Sequence, residues 1–339
     1  MTNNIPTKLI NDKFLEKIAS GQLDKAAEVA TDYTRLTLRE EGLLRKILPP
    51  KSITVAECDK QIDTDEPVKI IDKEGSQPIS VSVGFATLPK NRIMKGERYR
   101  VDFARIISPN YIQDVRRLEG YDYDIRNVFK ENAIKDHMTV EDVTFFDQIN
   151  KIVMPANTTP LSMADLISPV TGKVQYYDFT NANLNPLGKD TGTLTREAAV
   201  EAFKIMRKGF TPGGGGVLGK NETPIRLNVD LVVMNTNTAS EYLKMEHTNI
   251  GDLSTDFFKN GLETTTILGH KHLFTLKDDI IEDGVAYYFA APEYLGKFYE
   301  LEQPTMFVDR RAFMIEFFMY SSIGASIGNA FGVSKVKFF

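Results

Sequence analysis

From Phe313 to Gly328 every odd position except Ser321 is apolar. The odd positions are Phe313, Ile315, Phe317, Met319, Ser321, Ile323, Ala325 and Ile327, and the even ones from Glu316 onward are Glu316, Phe318, Tyr320, Ser322, Gly324, Ser326 and Gly328. A period of two sends the two sets to opposite sides of a sheet, which predicts a long strand with one packed and one mixed face. Upstream, Ala26, Val29, Ala30, Tyr33, Leu36, Leu43, Leu44 and Ile47 recur at helical spacing after a polar start, and Pro49–Pro50 must end that helix. Ile53–Ile107 changes to short β-type runs (Ile53–Ala56, Val68–Ile71, Ile79–Phe85, Tyr99–Phe103) between turn clusters. Its apolar residues are too scattered to enclose a core, so this stretch has to lie against something else.

Ser108–Pro109 has the form of a helix start, a hydroxyl cap followed by proline, for a segment carrying Ile112, Val115 and Leu118 and ending near Gly120. Asp122–Asp136 continues with Ile125, Val128, Phe129 and Ala133 on one stripe. Thr139-Val-Glu-Asp142 resembles a capping box that opens a segment with Val143, Phe146, Ile149 and Val153, stopped by Pro155. The pattern leaves open whether Asp122–Val153 is one bent helix or two. Residues 156–192 are rich in Asn, Thr, Pro and Gly and read as mostly irregular. Thr195 caps a helix predicted over Arg196–Lys208, with Gly209 as its stop. Ile225–Met234, Thr264–Phe274 and Val285–Ala290 read as strands, the last two joined by an acidic loop. Thr238-Ala-Ser-Glu241 reads as a capping box for a short helix through Lys244.

Composition narrows the class. The 339 residues are 42% hydrophobic, enough for two compact domains or for one extended and irregular one, and their formal charge is −5 with no Lys/Arg run longer than a pair. A dedicated nucleic-acid reader carries a clustered basic face, which is missing here. A single cysteine, Cys58, forms no internal disulfide and fits a reducing compartment. Phe317–Ser334 is uncharged, but its serines and its period of two argue for a strand and against a membrane span.

Candidate chemistry is sparse. Gly214 to Lys220 has the spacing of a phosphate-binding loop, yet Asn221 stands where that motif needs a hydroxyl, and the loop follows a helix instead of preceding one. His270 and His272 share one face of a strand, half of a metal site, with His137 and His247 in distant segments; surface histidines with satisfied hydrogen bonds are the simpler reading. Asp63, Asp65 and Glu66 lack the spacing of a calcium loop. Cys58 has no local base, and the neighbouring carboxylates Glu40–Glu41 and Asp278–Asp279 point apart along the chain. The sequence therefore predicts no catalytic, cofactor-binding or metal-binding residues and no enzyme.

Ala286–Leu301 (AYYFAAPEYLGKFYEL), the long strand, and the closing NAFGVSKVKFF of Asn329–Phe339 resemble the carboxyl-terminal third of tailed-bacteriophage major capsid proteins. The resemblance implies an α+β chain of the Hong Kong 97-type capsid fold. Residues 1–50 would form an amino-terminal arm and helix and 51–107 an extended β-hairpin loop reaching an adjacent subunit. A peripheral domain, with a long spine helix and a long strand Phe307–Ile327, would comprise 108–158 and 302–327. Residues 159–301 and 328–339 would make an axial mixed α/β domain. It further implies self-assembly into pentamers and hexamers of an icosahedral head around double-stranded DNA, without sequence-specific DNA binding and without a membrane. Assembly would take place in the host bacterial cytoplasm, ending in the virion capsid. The partners implied are a portal, a separate scaffolding protein (only some fifty residues precede the extended loop) and, as an optional addition, a decoration protein. Some family members join subunits by a Lys–Asn isopeptide bond; Lys69, Lys73 and Asn329 have that chemistry, but no motif assigns it to them. Two other classes are an encapsulin-like compartment with the same fold and an unrelated enzyme with its site in 159–300.

Overall fold

In the computed structural model the described residues are 42–62, 65–74, 96–114, 125–153, 175–181, 185–187, 193–206, 227–244, 266–267 and 269–339. In chain order they form helix α1 (Leu43–Ile47), strands β1 (Lys51–Ser52), β2 (Val68–Glu74), β3 (Gly96–Asp102), β4 (Ala104–Ile107) and β5 (Tyr111–Asp114), and the long helix α2 (Ile125–Val153). Next come β6 (Tyr176–Asp178), α3 (Arg196–Lys204), β7 (Leu231–Asn235), α4 (Thr236–Ser240), β8 (Thr266–Ile267), β9 (His270–Thr275) and β10 (Val285–Phe289). The chain closes with α5 (Pro292–Leu295), β11 (Lys297–Arg311), β12 (Met314–Ser326) and β13 (Val333–Lys337). It divides into one unit of 1–70, 100–145 and 297–326 and a second of 71–99, 146–296 and 327–339. β2 and β3 pair with each other as a two-stranded ribbon.

The first unit is organised on β11 and β12, antiparallel partners from Lys297 opposite Ser326 to Arg311 opposite Met314. β1 joins β11 in parallel, and β4 and β5 join the other edge of β12 antiparallel. Ile315, Phe317, Met319 and Ser321 are buried while Glu316, Phe318 and Tyr320 are half-buried, so the alternation read in the sequence is the alternation of the sheet faces. The expected single strand Phe307–Ile327 is instead two strands. The chain reverses at Ala312, which sits at φ 56°, and the residues before it belong to β11. Pro304, with no N–H to give to a ladder, hides this strand in the sequence, and the pairing slips between Glu302 and Thr305 around it.

Ser108–Pro109 does not open a helix. Ser108 donates its N–H to the Met319 carbonyl and its Oγ accepts from the Met319 N–H, each at 2.8 Å. The hydroxyl thus bridges the gap between β4 and β5, and the chain stays extended as β5; the expected helix beyond Asp114 lies outside the described residues. α2 runs unbroken through Thr139, whose hydroxyl donates back to the Lys135 carbonyl at 2.9 Å. One helix is therefore present where one or two were open, and the capping box at Thr139 is not formed. Of the helix expected upstream, the described part is α1, ending at Leu48 before the two prolines.

The second unit holds a six-stranded mixed sheet in the order β6-β13-β10-β7-β9-β8. One face carries Val232, Met234, Ala286, Tyr288, Val336 and Phe338, packed under Ala198, Ala199, Ala202 and Phe203 of α3 and Ala239 of α4. On the opposite face Tyr287 and Phe289 meet Phe146 of α2, ring centres 4.9 and 6.5 Å apart. Thr195 caps α3 as expected, accepting from the Ala198 N–H at 3.2 Å; the expected stop at Gly209 lies outside the described residues. The cap of α4 is Asn235, the last residue of β7, and not Thr238. Strand and helix abut with no loop, so Thr238 lies inside the helix and its Oγ accepts the Gly284 N–H at 2.8 Å. In place of one strand over Thr264–Phe274, the described residues form two antiparallel strands, β8 and β9, with Gly269 before β9 at φ 81°, a value that suits glycine. Within 156–192, read as irregular, Tyr176–Asp178 forms β6 alongside β13.

Candidate assembly surfaces

In the first unit a charge network ties three distant parts of the chain. α1 presents Arg45 between apolar neighbours, and its guanidinium is buried. Nε and Nη2 donate to the two carboxylate oxygens of Glu141 on α2, both at 2.8 Å, and Nη1 donates to Glu300 Oε1 on β11 at 2.5 Å. The next residue of α2, Asp142, accepts the Leu43 and Leu44 N–H groups at 3.4 and 2.8 Å and so caps α1 from another element. The Phe298 ring lies under the guanidinium, 5.4 Å away. Burial works against the Arg45 charge, but Glu141 and Glu300 hold it firmly protonated. For Glu141 burial outweighs the attraction of Arg45 and pushes the carboxyl up. The two shifts pull in different directions on one bond. We weigh the burial cost as the larger influence, so the network acts as a specific tether more than as a source of net stability.

Small residues at the end of β12 make room for the ribbon strand β3. A Cβ on Gly324 would lie 2.8 Å from the Asp102 carbonyl, and one on Gly328 would lie 2.5 Å from Cε1 of Tyr99. Two of the even positions read as a mixed face thus leave strand β3 its track, Gly324 at Asp102 and Gly328 at Tyr99. At that base Lys69 Nζ donates to the Glu57 carbonyl at 2.6 Å, and Asp59 accepts the Ile70 N–H at 2.7 Å. Residues 75–95, the remainder of the expected extended loop, lie outside the described residues.

The even face of the long sheet is ordered in rows. Glu302, Ser322 and Arg105 form one, Thr305, Tyr320 and Ile107 the next, then Phe307 with Phe318. Asp309, Glu316 and Ile112 follow, and Arg311, Met314 and Asp114 close the series. Phe307 and Phe318 have ring centres 4.9 Å apart, and Phe318 and Tyr320 6.3 Å. Ile107, Ile112 and Phe307 are 59%, 49% and 45% exposed. The charges sit at the two ends, Arg105 with Glu302 at 3.2 Å and Arg311 with Asp309 at 3.4 Å and Glu316 at 3.6 Å.

The residues singled out for chemistry fall elsewhere. His270 and His272 share a face of β9, and both rings meet Phe203, at 4.7 and 6.0 Å. The surface reading fails for His272, which is buried, while His270 is half-buried. His270 Nδ1 lies 2.9 Å from the Val229 carbonyl, and buried His272 has its pKa lowered to about 4 by desolvation. His137 is buried in α2 and likewise lowered to about 4. The Cys58 thiol lies 3.7 Å from the Thr54 carbonyl, and burial pushes it up, away from reactivity. Asp278 does not simply face solvent: with Asp283 it accepts from Asn235 Nδ2, at 2.6 and 2.8 Å, fixing the acidic loop to the end of β7. Asn329 Oδ1 accepts the Phe331 N–H at 3.2 Å and caps a turn. The glycine loop 213–219, Lys220, His247, Asp63 and Glu40–Glu41 lie outside the described residues. Among the described residues no three His, Cys, Asp or Glu side chains are grouped to hold a metal, and no helix is long and apolar enough to cross a membrane. Arg45 and Glu300 were missed. The available signal was charge set inside two apolar runs, the Arg45–Lys46 pair within Leu43–Leu48 and Glu300 within Phe298–Leu301.

No protein-family model matches the sequence, and no curated protein matches it. Solved structures do. The capsid of the native GTA particle aligns with 87% of this chain and 89% of its own at a TM-score of 0.53 and 15% identity. The mature capsid of bacteriophage PhiM1 aligns over 88% and 87% at 0.54 and 10% identity. The fold is the Hong Kong 97-type fold of tailed-phage capsid proteins. The capsid of Ralstonia phage GP4 adds the same likeness, 89% of this chain and 92% of its own at 0.53 and 10% identity. This α+β capsid fold is thus reached with almost no shared sequence, as expected when strand alternation and core volume carry the architecture.

Proposed function

We propose that this chain is a major capsid protein, a structural subunit without catalytic turnover. Copies of it close into pentamers and hexamers of an icosahedral head around the double-stranded DNA of a tailed bacteriophage. The observation that carries the reading is the capsid-fold likeness over 87–89% of the chain. In this reading residues 1–50 are the arm, 51–107 the extended loop, 108–158 with 302–327 the peripheral domain, and 159–301 with 328–339 the axial domain. The work of such a protein is association: head-to-tail contacts close into rings, and several modest contacts per subunit multiply into a durable shell. A net charge of −5 suits a lining that stores DNA without gripping it, because phosphate neutralisation is the main source of such affinity. The portal, scaffolding and decoration proteins are the partners of this reading, assembly takes place in the bacterial cytoplasm, and the virion capsid is the destination.

Electron microscopy of the purified chain tests the proposal. Uniform shells or capsomer rings are expected; monodisperse single subunits at every concentration would refute it. Shells purified from infected cells should protect DNA from nuclease, whereas protein cargo without DNA would place the chain with encapsulin-like compartments.

A further inference from the structure

In the core of the second unit, Oη of Tyr242, Oη of Tyr288 and Nε2 of His272 have no hydrogen-bond partner among the described residues. Their side chains belong to residues 1%, 0% and 6% exposed, so surface water does not serve them. They come from three elements and meet on one face of the sheet. Tyr288 of β10 stands opposite Val232 of β7, and Val232 opposite His272 of β9, so one row carries both with the short valine between them. Phe203 of α3 touches both rings, at 5.5 and 6.0 Å. Tyr242, in the turn Glu241–Lys244 after α4, lies 6.3 Å from the His272 ring and almost perpendicular to it. Burial, with the Tyr242 phenol as second cause, pushes the Tyr288 phenol well above its ordinary value, so it stays a neutral donor.

The hydrogen positions follow from the neighbours. His272 Nδ1 lies 2.9 Å from the His270 carbonyl, which only accepts, so Nδ1 carries the hydrogen of the neutral ring and Nε2 is a bare lone pair. Two O–H donors and one acceptor therefore share an apolar core that offers them nothing, a costly arrangement that native interiors avoid. Their partner must accept twice, donate at least once, carry no charge and be small enough to be enclosed at folding. An anion has no hydrogen for Nε2, an ammonium has no lone pair for the phenols, and either would be an unpaired buried charge. Water meets every condition, and buried waters commonly make about three such bonds. We propose that Tyr242, Tyr288 and His272 hold one buried water molecule, which accepts from both phenols and donates to His272 Nε2. It ties the turn after α4 to β9 and β10 across β7, and it does so whether or not the chain assembles.

The test sets a high-resolution structure of the wild-type chain beside thermal melts of the full-length Tyr242→Phe, Tyr288→Phe and double variants. The structure should show one water within about 3 Å of all three atoms. Each single variant should lose about 2–4 °C of melting temperature, and the double variant clearly less than the sum, because the first deletion already loosens the water. Unchanged or raised melting temperatures in both single variants would overturn the site, since deleting a hydroxyl that never had a partner removes a cost. A loss confined to one variant would overturn it too, as the mark of a direct tyrosine–histidine bond. Fully additive losses, or no water in the structure at that place, would do the same. If a variant does not fold, the wild-type structure decides.

Discussion

Arg45→Met removes the cation that holds Glu141 and Glu300 by hydrogen bonds. Two buried carboxylates, one bonded twice at 2.8 Å and one at 2.5 Å, then lose their partner. Breaking a buried pair from one side costs about 3–5 kcal/mol, because an uncompensated charge stays behind. Against a total stability of about 5–15 kcal/mol for a domain, this is a large fraction. Urea denaturation of dispersed subunits, followed by circular dichroism, should show the loss as a lower midpoint with little change in slope. The triple variant R45M/E141L/E300L removes charge and counter-charge together and should recover most of the loss, since apolar replacement of a buried network is often neutral or stabilising. The deficit of R45M should also shrink as pH falls. Burial already raises the Glu141 pKa, so the folded state takes up the proton before the unfolded chain does, and its stability gains on acidification. A cost under about 1 kcal/mol for R45M, or a triple variant as unstable as the single one, would refute the tether and the energetics assigned to it.

Three further outcomes follow from the same geometry. His137 and His272 are depressed to about 4 from an ordinary 6.5, so between these values the unfolded chain binds protons that the folded one does not. Stability should therefore fall as pH drops from 6.5 toward 4, by up to about 3 kcal/mol per histidine, and His272→Phe should flatten part of that limb in pH-dependent denaturation. Gly328→Val should drive the Tyr99 ring off its track and destabilise by about 1–3 kcal/mol, with Tyr99→Ala restoring most of it in thermal melts. Ala312→Gly should stabilise by about 0.5–1 kcal/mol, since alanine at φ 56° carries left-handed strain that glycine lacks, partly offset by the freer unfolded chain.

What could be read from the sequence was what depends on neighbours a few residues away. β12 was legible because its alternation holds from Met314 to Ser321, and the Thr195 cap because it bonds only three residues on. β11 was not, since Pro304 and the acids around it erase the alternation while distant pairing with β12 keeps the strand extended. Thr139–Asp142 has the residues of a capping box, but Asp142 caps a helix 98 residues upstream and Glu141 serves Arg45, partners no local pattern reveals. Ser108–Pro109 failed for the same reason: the hydroxyl closes a ladder with Met319, 211 residues away. The apolar rows of the outer sheet face exist only once Ile107, Ile112 and Phe307 are brought to one surface by three separate pairings.

Sedimentation velocity of the purified full-length chain over a wide concentration range tests the central claim most directly. The account predicts a cooperative passage from subunits or capsomers to one narrow, very fast-sedimenting boundary, the signature of closed particles. A single boundary at the size of one subunit throughout, unchanged by concentration or salt, would contradict it.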